Sequence, residues 1–209
     1  GNSDYFFNQG AKMSNQYFEN NVNLESNETV ISYYFKGQTF HFITDNGVFS
    51  KKSIDFGSSL LLQKIILDNG DRVLDIGCGY GVIGLVIAKL NPQILVDMVD
   101  INERAIRLSC KNKALNKIEN AEIFVSNLYQ NITKKYDVII SNPPIRAGKK
   151  IVHEIASSAF DFLNDTGVFW CVIQKKQGAE SMMKLLTKIY QKVTIVEKDK
   201  GYWIIEAKK

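Results

Sequence analysis

The stretch VLDIGCGYGVIG at residues 73–84 decides how the rest of this 209-residue chain is read. Apolar Val73, Leu74 and Ile76 have the pattern of a strand end buried on both faces, as in a parallel sheet. Gly77, Gly79 and Gly81 let the backbone turn sharply and approach a ligand closely. The apolar run at 82–90 then continues as a helix whose first amides face that ligand. Strand, glycine turn and helix in this order form half of a cofactor site in a doubly wound α/β sheet.

The glycines alone leave two cofactors open. Gly79, Gly81 and Gly84 satisfy the dinucleotide pattern G-x-G-x-x-G, and Asp100 follows Gly79 by about twenty residues, as a ribose-binding acid does. Asp75 separates the two, because a carboxylate just ahead of the turn repels a pyrophosphate and attracts the ammonium of a methionine moiety. Its other reading is a cap on the amides of the turn. Asp100 closes the apolar run at 94–99, where it is placed to accept from ribose hydroxyls or to serve as an acid at the helix start marked by Asn102, Glu103 and Arg104. Asn127, after the strand at 121–125, has an amide able to donate to and accept from an adenine edge, although Asn is also an ordinary loop residue.

A second motif, SNPPI at 141–145, follows the strand at 136–140, at the sheet edge where open α/β folds place their ligands. Two prolines remove amide donors and stiffen the chain, so that the Asn142 side-chain oxygen and the Pro143 carbonyl stand as fixed acceptors. A planar amine has two protons to give them, and two such acceptors stabilise the positive charge that develops on its nitrogen as it is alkylated. A lone N-P-P is also a common proline turn. Its place after the fourth strand of a sheet that already carries a cofactor turn makes the combination specific.

In this order, Asp75-x-Gly77-x-Gly79-x-Gly81, Asp100, Asn127 and Asn142-Pro143-Pro144 resemble the small-domain class I methyltransferases, in particular the ribosomal RNA guanine-N2 methyltransferase family of the RsmC type. The likeness runs from about Thr39 to the C-terminus. GVFS at 47–50 and DFGS at 55–58 resemble that family's segment closing over the cofactor, and IRAGKK at 145–150 resembles a short single-domain bacterial branch. The resemblance implies S-adenosyl-L-methionine as cofactor, held by Asp75, Gly77, Cys78, Gly79, Gly81, Asp100, Ile101, Asn127 and Asn142. It places Asn142, Pro143, Pro144 and Ile145 at the reacting edge. Phe49, Ser58, Arg146, Lys149, Lys150, Lys175 and Lys176 fall on the substrate side, with ribosomal RNA of the small subunit or its precursor as partner. The chain departs from the family pattern twice. Ile145 stands where many relatives have an aromatic residue able to stack on the base, and the roughly forty residues before GVFS are too few for the additional degenerate half of the two-domain members.

The expected fold is a seven-stranded Rossmann-like sheet in a single domain at 46–209, preceded by an arm and β-hairpin at 1–45. Residues 29–44 alternate around Lys36 and Gly37 as a hairpin does, and 58–67 has helical spacing. The C-terminal segment reads as a second hairpin, 193–197 and 202–207 about a turn at 198–201, which inserts an antiparallel strand beside the last parallel one. Residues 1–27 are polar and Asn-rich and carry no readable function.

The net charge of +4 is unevenly spread. Up to Ile145 there are 14 basic and 15 acidic side chains, and from Arg146 onward 12 and 7. The basic excess thus follows the second motif, at the sheet edge where phosphates flanking an unstacked nucleotide would lie. Cys78, Cys110 and Cys171 lack metal-ligand spacing and read as reduced thiols, and His41 and His153 stand alone, so no metal is expected. With no apolar run of membrane-spanning length and no signal-peptide pattern at the start, the expectation is a cytoplasmic enzyme. Two further acceptors fit the same motifs, adenine N6 of RNA or DNA and a glutamine side chain. A non-catalytic RNA-binding scaffold is the reading from another class, opposed by intact Asp75, Asp100 and Asn142.

Overall fold

In the computed structural model, which describes residues 22–45 and 53–209, nine strands and five α-helices are assigned among those residues. The strands are β1 (Glu28–Phe35), β2 (Gln38–Asp45), β3 (Arg72–Ile76), β4 (Leu95–Asp100), β5 (Ala121–Val125), β6 (Tyr136–Ser141), β7 (Leu163–Gln174), β8 (Lys192–Asp199) and β9 (Tyr202–Lys208). The helices are α1 (Phe56–Lys64), α2 (Val82–Leu90), α3 (Glu103–Leu115), α4 (Lys149–Phe162) and α5 (Ala179–Ile189).

Seven strands form one sheet in the order β5-β4-β3-β6-β7-β9-β8. The first five are parallel, and β9 runs antiparallel to both β7 and β8. The chain leaves β3 toward β4 on one side and later returns to β6 on the other. Their carboxyl ends therefore flank a switch point, where such sheets open a crevice. Val73 and Leu74, neighbours in β3, are both fully buried because they point into different cores. Val73, Val96, Met98, Val138, Ile140 and Trp170 pack with α1, α2, α3 and the β1–β2 hairpin. Leu74, Ile76, Val99, Ile139 and Phe169 pack with α4 and α5.

The boundaries differ from the sequence reading where a side chain intervenes. Helix α1 begins at Phe56 rather than residue 58, because the Asp55 carboxylate accepts the Ser58 N–H at 3.2 Å and caps the first turn. Strands β8 and β9 extend to a two-residue turn at Lys200 and Gly201, with φ of 49° and 81°. Positive φ at both positions is what a type I′ hairpin requires, and Lys36–Gly37 between β1 and β2 repeats it at 47° and 80°.

Candidate active site

The glycine turn lies at the carboxyl end of β3 and is pinned from several sides. Gly77 N and Cys78 N both donate to the Val99 carbonyl at 2.9 Å, and Gly81 N donates to Cys78 O at 3.0 Å. The Gly79 peptide is held through its N–H by Asp100 Oδ2 at 2.9 Å and through its carbonyl by Ser109 Oγ at 2.7 Å. Gly81 opens α2 at φ 105°, and a Cβ there would stand 2.8 Å from Leu85 Cδ1 and 3.0 Å from Ser109 Oγ, so both backbone and space demand glycine.

Asp75 is buried at the base of this turn, with Oδ2 accepting the Gly84 N–H at 2.9 Å. Burial pushes its carboxyl up to about 7; the Gly84 hydrogen bond opposes the shift and the nearby Asp100 charge adds to it. Asp100 uses Oδ2 on Gly79 and Oδ1 on Asn102 N at 2.9 Å. Each carboxylate oxygen has a second lone pair, so these backbone contacts leave acceptor capacity for two hydroxyls.

The second motif meets the first across the crevice. A Cβ on Gly77 would touch Pro144 Cδ at 3.8 Å. Asn142 leaves the end of β6 with its Nδ2 donating to Asp55 Oδ2 at 3.0 Å and Ser58 Oγ at 2.9 Å. Pro143 is buried, and the Pro144 carbonyl accepts from Ala147 N at 2.9 Å in a short 3-10 turn.

Between the motifs is a cavity of about 580 Å³, a size in the range of small-molecule sites. Asp75, Gly77, Cys78, Gly79, Gly81 and Asp100 line one part of it; Ser58, Asn142, Pro143, Pro144, Ile145 and Arg146 line another. Ile101 is 62% exposed and outside the lining. Asn127 also lies outside it, exposed on a turn closed by Ser126 Oγ donating to Leu128 O at 2.7 Å and accepting from Asn131 N at 3.0 Å. Lys149 and Lys150 are exposed at the start of α4, and Lys175 and Lys176 are exposed just past β7. Phe49 and the GVFS segment fall outside the described residues.

Among the lining residues that the sequence reading did not single out are Asp55, Gln174 and Tyr202. For Asp55 a signal existed, an Asp three positions before a Ser at a helix start. For the other two there was none, since only the register of β9, pairing Tyr202 with Gln174, brings them together. Gln174 Nε2 donates to Tyr202 Oη at 2.8 Å, and the Tyr202 ring stands 5.5 Å from that of Phe56. A Cβ on Gly57 would come within 2.9 Å of Tyr202 Cε1, so DFGS is the seat of the C-terminal hairpin as well as a helix start. The hairpin brings further positive charge: Lys200 lies over Phe56 at 4.6 Å and Lys198 over Trp203 at 4.2 Å, while Lys175 N is tied to Gly201 O at 2.8 Å.

A glycine-turn crevice at the switch point of a sheet with β9 inserted antiparallel defines the class I methyltransferase fold. The family model for the methyltransferase small domain matches residues 39–206. YbxB of Bacillus subtilis (strain 168), whose activity is uncharacterised, is 43% identical over 202 residues, 94% of this chain and 100% of YbxB. Ribosomal RNA small subunit methyltransferase C of Serratia proteamaculans is 46% identical over 102 residues, 49% of this chain and 29% of that protein. Matches to methyltransferases C thus span about a third of those proteins or less. The solved 16S rRNA methyltransferase RsmC of T. thermophilus, in complex with AdoMet and guanosine, shares the fold with a TM-score of 0.77 at 23% identity, covering 90% of this chain and 52% of that one. The chain belongs to the methyltransferase small domain family. Its cofactor is the one this class uses, S-adenosylmethionine.

Among the described residues, no cluster of three or more His, Cys, Asp or Glu side chains is able to hold a metal ion, and no helix is long and apolar enough to cross a membrane.

Proposed function

We propose that this protein transfers a methyl group from S-adenosylmethionine to the exocyclic N2 amine of a guanine in small-subunit ribosomal RNA. The observation that carries the reading is the Asn142–Pro143–Pro144 edge, which shares one cavity with Asp75, Asp100 and the glycine turn. The residues present suit the cofactor. Asp75 offers a buried counter-charge to an ammonium, Asp100 offers acceptors to ribose hydroxyls, and Gly77, Gly79 and Gly81 line the cavity with backbone alone. Bound there, S-adenosylmethionine supplies an electrophilic methyl group on a sulfonium.

Asn142 and the Pro143 carbonyl accept the two protons of the planar amine, orient its nitrogen and stabilise the positive charge it acquires. The methylated nitrogen then gives one proton to water, so the site needs no strong base of its own. Arg146 on the cavity wall offers charge to phosphates flanking an extruded nucleotide, and Lys175 and Lys176 just past β7 and Lys200 at the tip of the C-terminal hairpin add to it. The guanine assignment draws support from relatives named as methyltransferases C and from an RsmC fold neighbour with guanosine.

Small subunits from a strain lacking the protein are the test. Incubated with protein and labelled S-adenosylmethionine, they should yield N2-methylguanosine on digestion, with transfer falling steeply as salt rises. N6-methyladenosine would overturn the guanine assignment, and label confined to protein would overturn the RNA reading.

A further inference from the structure

A carboxamide is nearly symmetric in shape, and only its partners decide which end faces where. For Asn142 that decision matters, because an amine substrate needs an acceptor and a reversed amide would present two donors to it. The partners of Asn142 Nδ2 are Asp55 Oδ2 at 3.0 Å and Ser58 Oγ at 2.9 Å. An ionised carboxylate has no proton to donate, so the amide facing Asp55 must present its nitrogen. Oδ1 is then the end that Asn142 offers to the cavity it lines. Asp55 is itself fixed, as the cap of α1 accepting from Ser58 N at 3.2 Å. One turn of helix thus supplies both groups that grip the amide, across 87 and 84 residues of chain.

We infer that Asp55 is a positioning residue for methyl transfer, which with Ser58 locks the Asn142 amide so that its oxygen faces the acceptor amine. The inference rests on the reading above that Asn142 meets that amine. Asp55 acts through Asn142 and touches neither reacting atom.

Asp55→Ser tests this, because Ser caps helices about as well as Asp on a shorter side chain. Its hydroxyl falls short of Asn142, and the lock is lost. Turnover on ribosomal small subunits should fall about 10- to 100-fold while the dissociation constant for S-adenosylmethionine stays within about twofold. In an Asn142→Ala background the same substitution should change turnover by less than about twofold, since the group it positions is gone. Asp55→Asn should keep most of the turnover, because one atom, Asp55 Oδ2, accepts from both Ser58 N and Asn142 Nδ2, and an Asn oxygen held by the cap still meets Asn142. Unchanged turnover in Asp55→Ser, or an equal fall in both backgrounds, would overturn the inference.

A readout without substrate separates it from the functional proposal. The Asn142 side-chain amide protons, followed by NMR, should exchange with solvent at least about tenfold faster in Asp55→Ser than in wild type. Equal exchange overturns the inference. Wild-type protein that methylates no small-subunit RNA overturns the preceding proposal instead, and leaves this one to be decided by the exchange rates.

Discussion

Asn112 holds Ile43 by both of its backbone groups, as a neighbouring strand would: Ile43 N donates to Asn112 Oδ1 at 2.6 Å, and Asn112 Nδ2 donates to Ile43 O at 3.0 Å. One helical turn on, Asn116 does the same for His41, at 3.0 and 2.8 Å. Asn112 in α3 and Asn116 at its C-cap, four residues apart, thus meet residues two apart on β2, and the hairpin edge is satisfied by side chains. Asn112 Nδ2 also reaches Tyr80 O at 2.8 Å, which ties the hairpin to the glycine turn.

Asn112→Ala would strand three buried backbone groups. It should destabilise the protein by about 3 kcal/mol, read as a lower urea midpoint with an unchanged m-value. Asn116→Ala, at a less buried site, should lose about half of that.

How far the sequence reached can be seen from these residues. The parallel strands and α2 were legible because they are buried on both sides and leave continuous apolar runs; 82–90 and 121–125 coincide with α2 and β5. The two hairpins were legible from alternation around Lys36–Gly37 and near Lys200–Gly201. Asn112 and Asn116 were not, since two asparagines four apart on a helix look like any polar face. The cavity had the same limit. Its glycine turn and N-P-P are local patterns, whereas Asp55 reaches Asn142 across 87 residues, and the place of Tyr202 follows from sheet register. Asn127, expected at an adenine edge, is exposed and outside the cavity lining, and a loop residue after β5 carries no periodicity that would fix where it points.

The contact of Gly57 with Tyr202 gives a sign reversal. Alanine in a helix is favoured over glycine by about 1 kcal/mol, yet here its Cβ would meet Tyr202 Cε1 at 2.9 Å and Cδ1 at 3.0 Å. Gly57→Ala should therefore destabilise the wild type by about 1 kcal/mol. In a Tyr202→Ala background it should stabilise by about 0.5 kcal/mol. Equal effects in both, by thermal denaturation, would show that the ring yields freely.

Asp100→Ala removes a charged acceptor and leaves Gly79 N and Asn102 N without their carboxylate. S-adenosylmethionine should bind about 2 kcal/mol more weakly, roughly thirtyfold by calorimetric titration. Unchanged affinity would remove Asp100 from the cofactor site.

Asp75 couples stability to pH. Its carboxyl is raised by burial from 3.8 to about 7 in the folded protein, so between those values the folded state holds a proton that the unfolded chain has released. The sign follows: stability contributed by this group is present below about pH 4 and is lost as pH rises to about 7. Asp75→Asn removes the effect. The ceiling on its gain is about 4 kcal/mol, and the unpartnered amide protons reduce it, so at pH 8 the ligand-free variant should be about 2 kcal/mol more stable than wild type, with the gap closing toward pH 4. A gap that is constant across this range would mean that Asp75 titrates normally.

The same group makes cofactor binding release a proton. If the ammonium of S-adenosylmethionine lies against Asp75, the complex favours the ionised carboxylate and lowers its pKa, whereas the free protein near pH 7 is about half protonated. Affinity should then fall about tenfold from pH 8 to pH 6, because below about pH 7 each binding event must first displace the proton. Titration calorimetry at pH 7 in buffers of different ionisation enthalpy should report about half a proton released per molecule bound. Asp75→Asn should bind more weakly at pH 8 and show neither the proton release nor the slope with pH. Wild-type binding that is independent of both buffer and pH would place the ammonium elsewhere in the cavity and leave Asp75 as a buried brace for Gly84.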